Sequence, residues 1–379
     1  MNFELNPEDQ EIRSWARKLS KEIILPMAEK HSREKLSADF LRKLSSEGLM
    51  KLMVPETHDG MGLTAIQFSL VIRELARACA STAVSVAVTN MIADVLVREG
   101  NATHHQKFLK LLTLGESLTA SFCLTENQSG SDAGSIQTRA EKKGSQYVIR
   151  GEKIYVTNGA FSKFFLVMAR SLDIPGAKGI SAFLVDRESP GLVIGKEEEK
   201  MGLEGSSTIR MSFDGVSVPE ENRIAPEGEG LKVALRALDG GRISVASQAL
   251  GIAEASLEAG IRYAKEREAF GKPIADFQAI QWKIADSMTK ISASEALILR
   301  AAFMKDKKMA FTHEASQAKL FATESAIQVC DDMIQILGGY GYIKDYPVER
   351  YYRDVRVTSL YEGTSEIQRK VIARALLSN

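Results

Sequence analysis

Apolar residues recur at three- and four-residue spacing along the first third of the chain, the period of helices that bury one face. Ile12, Trp15, Leu19 and Ile23 share such a face, with Asn6 as the cap before it and Pro7 suited to its first turn. Pro26 is placed to kink or end this helix. Further helices are expected over residues 38–46, 65–80, 82–99 and 104–114. The stretch 82–99 is apolar nearly all round, so it is expected inside the protein. Residues 54–63 form a loop carrying Gly60 and Gly62.

The period changes near Ser117. Short β-rich runs over 118–124, 146–150, 153–157, 164–169, 180–185 and 209–213 alternate with turn residues, among them Asn158-Gly159, Ser189-Pro190-Gly191 and Asp214-Gly215. From Leu231 the helical period returns in four long amphipathic stretches, 231–266, 277–305, 313–337 and 366–377, the pattern of an antiparallel bundle. The expectation is an α+β fold: an N-terminal helical domain (1–118), a central antiparallel β domain (119–230) and a C-terminal four-helix bundle (231–379).

Composition narrows the functions available. The 379 residues suffice for two or three domains, and a 44% apolar fraction supports a large core. Lys plus Arg equals Asp plus Glu at 49 each, which argues against nucleic acid as a partner and permits self-association. Cys79, Cys123 and Cys330 are odd in number and far apart, with neither a metal spacing nor a disulfide framework. His31, His58, His104, His105 and His313 are not spaced as metal ligands, and surface or capping roles are expected of them. No run of about 18 apolar residues occurs, so no membrane span is expected. The N-terminus lacks the features of a signal peptide, which points to the cytoplasm, or to the mitochondrial matrix for a processed eukaryotic protein.

Five constellations carry candidate chemistry. Tyr361-Glu362-Gly363-Thr364 sets a carboxylate between an aromatic residue and a glycine, just ahead of a short helix. Removing a proton from a carbon beside a carbonyl needs one such partly desolvated base. Residues 122–132, a strand running into a loop of small residues, bring backbone N–H groups and the Thr125 and Ser131 hydroxyls to one surface, suited to a heteroaromatic edge or a phosphate. Tyr155-Val156-Thr157-Asn158-Gly159 ends a strand with an aromatic and a hydroxyl on one face; alone it reads as a plain hairpin. Arg267 interrupts two helices, where it could pair with a pyrophosphate or lie on an exposed turn. Gln335-Ile336-Leu337-Gly338-Gly339 either lets a backbone approach a ligand or stops a helix. The dinucleotide-binding glycine motif, the phosphate-loop lysine motif and His-Glu-x-x-His are absent from the sequence.

In this order the motifs, with 238–252 and 361–369 as the most telling stretches, resemble the acyl-CoA dehydrogenase family over nearly the whole chain, most of all its short-chain, butyryl-type branch. The resemblance implies FAD lying between the β domain and the bundle. Its ring would meet the positions of Phe122, Cys123, Leu124, Thr125 and Ser131 and of Tyr155, Val156 and Thr157. Thr364 and Glu366 would approach the same cofactor. Arg267, Phe270, Gln278, Gln335, Ile336, Leu337, Gly338 and Gly339 would reach the FAD of a neighbouring subunit, in a homotetramer built as paired dimers. Glu362 would take the α-proton of an acyl-CoA, with Ser131, Asp239, Arg242, Tyr361, Gly363 and Arg374 binding the thioester and its CoA arm. Electron-transferring flavoprotein is the implied acceptor. The same fold hosts acyl-CoA oxidases and other flavin oxidases, and a scaffold without activity would be colourless.

Three positions depart from the family pattern. Asn127-Gln128 stands where most relatives carry Pro-Gly, Ala269 where Thr is frequent, and Gly241 where some relatives of branched or very long substrates carry their base. A glycine cannot be a base, which leaves Glu362 and favours straight, shorter chains. The acidic run Glu197-Glu198-Glu199 reads as a solvated loop or as a docking aid for the acceptor.

Overall fold

Local capping explains why the first helices begin where they do. In the structure, a computed structural model describing residues 4–377, Asn6 Oδ1 accepts the Asp9 N–H at 2.8 Å and opens α1 (Pro7–Leu19). The helix runs on through a π turn (Ser20–Ile24) and tightens to a 3-10 turn at Pro26. Ser37 caps α2 (Ala38–Ser46), and Thr64 and Gln67 cap each other reciprocally at the start of α3 (Ala65–Ala78). Cys79, in an extended conformation, separates α3 from α4 (Ala80–Glu99). The short α5 (Ala102–His104) and α6 (Lys110–Thr113) close this part.

By length and composition α4 could cross a membrane, although the sequence reading finds no such run. Its apolar window is 89% buried inside the protein, so the polypeptide itself supplies the apolar surroundings. His104 caps α5 together with Asn101. His31 is not at the surface: it is buried against the Phe40 ring, 4.5 Å between centroids.

The chain then forms β1 (Thr119–Cys123), β2 (Arg139–Lys143), β3 (Gln146–Thr157), β4 (Ser162–Arg170), β5 (Ile180–Asp186), β6 (Leu192–Glu197), β7 (Thr208–Pro219) and β8 (Arg223–Ile224). The sheet order is β6-β7-β3-β2-β4-β5-β8, with β1 also on β4. The expected antiparallel domain is a mixed sheet, because β4 pairs in parallel with both β1 and β2. Asn158-Gly159 is no hairpin turn. β2 lies between β3 and β4, and Asn158 is buried, its amide donating to the carbonyls of Ser85 and Ala120 and to Thr89 Oγ1. Asp214-Gly215 falls inside β7, and the runs expected at 146–150 and 153–157 are one 12-residue strand. Side chains alternate across the sheet. Phe122 and Leu124 face the large helical core, while Cys123 and Val156 join a second core on the opposite face.

The C-terminal part is built on α7 (Gly230–Glu266), whose 37 residues make a rod about 55 Å long. The hairpin β9 (Glu268–Ala269) and β10 (Lys272–Pro273) leads to α8 (Gln278–Asp306), α9 (Thr312–Leu337), α10 (Gly339–Tyr342), α11 (Val348–Arg356) and α12 (Ser365–Leu377). α10 and α11 were not expected from the periodicity; α11, with nine residues, is too short for a strong periodic signal.

Candidate active site

Where α9 packs against both α7 and α12, the turn 361–364 carries two consecutive left-handed residues, Glu362 (φ 52°) and Gly363 (φ 91°). Left-handed backbone is costly for a residue with a Cβ, so the surroundings must hold it. Gln368 Nε2, from the first turns of α12, donates to the Gly363 carbonyl at 2.9 Å and to the Glu362 carbonyl at 3.3 Å. Lys319 Nζ, from α9, donates to the same Gly363 carbonyl at 2.5 Å.

This turn aims the Glu362 carboxyl at α7, at Gly241, where the helix has no side chain. A Cβ on Gly241 would sit 1.9 Å from Glu362 Oε2. Glu362 as a whole is half-buried, yet its Oε2 is shielded from solvent and has no hydrogen-bond partner among the described residues. Burial pushes its carboxyl up to about 7, with Lys319 and then Arg242 opposing the rise. Arg242 is buried beside it, its Nη1 held by Asp239 Oδ1 at 2.7 Å and Ser316 Oγ at 3.1 Å, while its Nε is unpartnered. Burial also raises the Asp239 carboxyl, partly offset by Thr312, whose hydroxyl donates to Asp239 Oδ2 at 2.6 Å. Tyr361 donates its hydroxyl to Gln248 Oε1, and the Gln248 amide donates to the Ala80 carbonyl at 3.1 Å, which ties the turn to the start of α4. Thr364 Oγ1 accepts from the Ile367 N–H at 3.4 Å, and Glu366 lies in the first turn of α12, where the helix N-terminal N–H and Thr364 hold its carboxyl below the usual range. Arg374 is exposed in the last turn of α12.

The structure thus brings Glu362, Gly363, Tyr361, Thr364, Glu366, Asp239 and Arg242 together. The loop after β1 is shaped separately. Glu126 is buried there; Lys153 Nζ donates to it at 2.6 Å, the Gln137 and Thr138 N–H groups at 2.6 and 3.0 Å, and the Gln128 amide at 2.7 Å. Thr125 is half-buried and Ser131 exposed on this loop; Tyr155 is 60% exposed with φ 56° and Thr157 half-buried. Cys123 and Val156 point into the sheet core, so at these two positions only backbone atoms are available to a ligand.

Arg267, Phe270, Gln278 and the Gln335–Gly339 stretch lie elsewhere. Arg267 follows Arg242 by 25 residues on or just beyond α7, a separation of about 37 Å. Phe270 is 95% exposed at the tip of the β9–β10 hairpin, Gln278 and Gln335 are exposed, and Ile336 and Leu337 are buried in the core. Arg267, Gly338 and Gly339 line a cavity of about 470 Å³, and the Arg267 guanidinium lies 6.0 Å from the Tyr340 ring centroid. A Cβ on either glycine would meet nothing within 4 Å. An exposed guanidinium beside such open backbone fits a pyrophosphate. A larger cavity of about 650 Å³ adjoins this end of α7 and does not include Glu362. FAD, which carries a pyrophosphate, therefore fits the residues present.

Sequence reasoning missed Lys319, Gln368, Gln248, Glu126 and Lys153. A signal for Lys319 exists: it stands between Ala315 and Ala322, on the stripe of α9 that is buried.

A helical domain, a mixed sheet and a bundle with this seam form the fold of flavin-dependent oxidoreductases that act on a CH–CH bond. The N-terminal, middle and C-terminal domains of acyl-CoA dehydrogenase match residues 6–116, 121–216 and 228–377. The chain is 42% identical over 378 residues to the mitochondrial short-chain specific acyl-CoA dehydrogenase of Mus musculus, covering 99% of this chain and 92% of that protein. It is 42% identical over 368 residues to an acyl-CoA dehydrogenase of Bacillus subtilis, covering 97% of each. The structure of butyryl-CoA dehydrogenase from Megasphaera elsdenii superposes with a TM-score of 0.96 at 36% identity, covering 100% of both chains. The chain belongs to the acyl-CoA dehydrogenase family, and its cofactor is FAD.

Proposed function

We propose that the protein oxidises a short- or medium-chain, straight acyl-CoA to the trans-2-enoyl-CoA, with Glu362 taking the α-proton. The observation that carries this is the Glu362 Oε2 itself: buried, without a partner, and facing the gap left by Gly241. A carboxylate with an idle oxygen in a desolvated gap is basic enough to take a proton near neutral pH. Bound FAD supplies the acceptor for the β-hydrogen, which leaves with its electron pair as the α-proton goes to Glu362 and the carbon–carbon double bond forms. The Glu362 N–H is the protein's donor for the developing negative charge on the thioester oxygen. Asp239, Arg242, Gly363, Ser131 and Arg374 are assigned to the thioester and CoA arm. The hydrogen bond between half-buried Tyr361 and buried Gln248 supports a limit on acyl length, because a long chain would have to lie against two hydrogen-bonded polar groups.

The phosphate-facing cluster at Arg267 and Gly338-Gly339 is assigned to the FAD of a second copy, as part of a tetramer. Electron-transferring flavoprotein is assigned as the acceptor. The test is to titrate the purified holoenzyme anaerobically with acyl-CoAs of increasing length and follow the flavin absorbance. Bleaching is expected with short and medium straight chains, and Glu362→Gln is expected to bind butyryl-CoA without bleaching. Bleaching of that variant at the wild-type rate would remove Glu362 from its role. Rapid reoxidation by air after bleaching would mark an oxidase instead.

A further inference from the structure

Lys319 is fully buried, and among the described residues its hydrogen-bond acceptor is a single carbonyl, that of Gly363. Burying an ammonium with so little compensation costs several kcal/mol. A lysine that served only to fill the core would be replaced by methionine at no loss. Two features of its surroundings show what the charge faces. The Gly363 carbonyl belongs to the left-handed turn that aims Glu362, and the Glu362 carboxyl is the anion that most favours the charged form of Lys319.

The other titratable groups around Glu362 and Lys319 differ in their commitments. Arg242, on α7, is already bound to Asp239 and Ser316. Glu366, at the start of α12, is exposed and held by its own helix terminus. Tyr361 is bound to Gln248 and stays protonated, because burial raises its hydroxyl well above the ordinary value. Lys319 is therefore the cation whose placement serves the turn and the carboxyl together.

We propose that Lys319 is a positioning residue for the base: its ammonium clamps the Gly363 carbonyl, fixes the 362–363 turn, and keeps positive charge against the Glu362 carboxyl. This rests on the reading of Glu362 as the base. The clamp and the charge are separable. Glutamine at 319 can donate to the Gly363 carbonyl without charge, arginine keeps the charge, and methionine removes both.

The test is direct titration of Glu362 in the holoenzyme by infrared difference spectroscopy, taking the carboxylic carbonyl band absent from Glu362→Gln as its marker. The wild-type midpoint is expected near 7. Lys319→Met and Lys319→Gln are expected to raise it by about one unit or more, and Lys319→Arg to leave it near the wild-type value. Bleaching by butyryl-CoA should follow: at pH 6 the Met and Gln variants run about tenfold slower than wild type. Burial pushes Lys319 itself down to about 8, so above that pH the wild type also loses the charge and the rates converge. A midpoint in Lys319→Gln equal to wild type overturns the proposal, and this variant decides the matter if Lys319→Met does not fold. Bleaching of Glu362→Gln at the wild-type rate would instead sink the base assignment, while the infrared midpoints would still show whether Lys319 governs that carboxyl.

Discussion

Gly241 and Glu362 work as one unit, and the unit is tested by adding a single methyl group. Alanine at 241 favours the α7 helix by about 1 kcal/mol, so Gly241→Ala should fold. Its Cβ would nevertheless occupy the place of Glu362 Oε2, which must then swing out of the gap. A displacement of about 1 Å costs on the order of a hundredfold in rate. Gly241→Ala is expected to retain FAD and to bleach with butyryl-CoA at least about a hundredfold more slowly in stopped flow; an undiminished rate would mean that the carboxyl acts from another position. The same carboxyl has a cost in stability. Its ordinary value is 4.5, and the fold raises it to about 7. Between those values the folded state keeps a proton that the unfolded state gives up, so this contribution is full below 4.5 and lost as pH rises through about 7. Glu362→Gln imitates the neutral form, so its melting temperature should exceed that of wild type by a margin that grows from pH 5.5 to pH 8. The gain is at most about 3 kcal/mol.

The loop after β1 shows how an element is held by a buried ion pair rather than by its own turn residues. Here Gln128, next to Asn127, ties its amide to Glu126, which is buried on Lys153 and on the Gln137 and Thr138 N–H groups. Burial alone would raise the Glu126 carboxyl, but Lys153 and these donors outweigh it and hold it below its usual value. Its contribution to stability is therefore present above the ordinary carboxylate value and lost as pH falls through the lowered one. Lys153→Met leaves the carboxylate buried without its cation, a loss of roughly 3–5 kcal/mol. Thermal unfolding should shift down accordingly and flavin absorbance per mole of protein should fall. Retention of both would mean that the loop is held by its backbone alone. None of this pairing was legible from the sequence, since Glu126 and Lys153 are far apart along it and join only when β3 folds back. The helices were legible, because Asn6, Thr64 and the 3.6-residue period are local signals. β2 (Arg-Ala-Glu-Lys-Lys) was not, having one buried side chain and no apolar alternation. For the same reason Asn158-Gly159 looked like a hairpin: the strand inserted between β3 and β4 carries almost no hydrophobic signal. The carboxylate at 362 was legible as a motif, but the void at Gly241 and the burial of Lys319 are products of packing.

At the scale of the whole molecule, the Glu362 site and the Arg267 cluster stand at two distant places along α7. Arg242, beside Glu362, and Arg267, assigned to a neighbour's phosphates, are separated by about 37 Å. Around the second end several large apolar side chains are exposed: Phe270, Trp282, Met288, Tyr342 and Ile343, on the β9–β10 hairpin, α8 and the α10 region. Exposed apolar side chains in this number fit an interface, and zero net charge offers no repulsion between copies. If a second copy completes each FAD site there, cofactor affinity and association are linked, since each stabilises the other. Dilution should then release FAD together with the dissociation of the assembly, seen as a concentration-dependent fall in flavin retained and in sedimentation coefficient. Phe270→Asp buries a charge in that interface without touching Glu362. It should lower the sedimentation coefficient and the bound flavin in parallel at equal protein concentration, with both restored at higher concentration. A wild-type monomer that keeps its full complement of FAD on dilution would show that one chain holds the cofactor by itself, and the assignment of Arg267 and Gly338-Gly339 to a neighbour's FAD would fall.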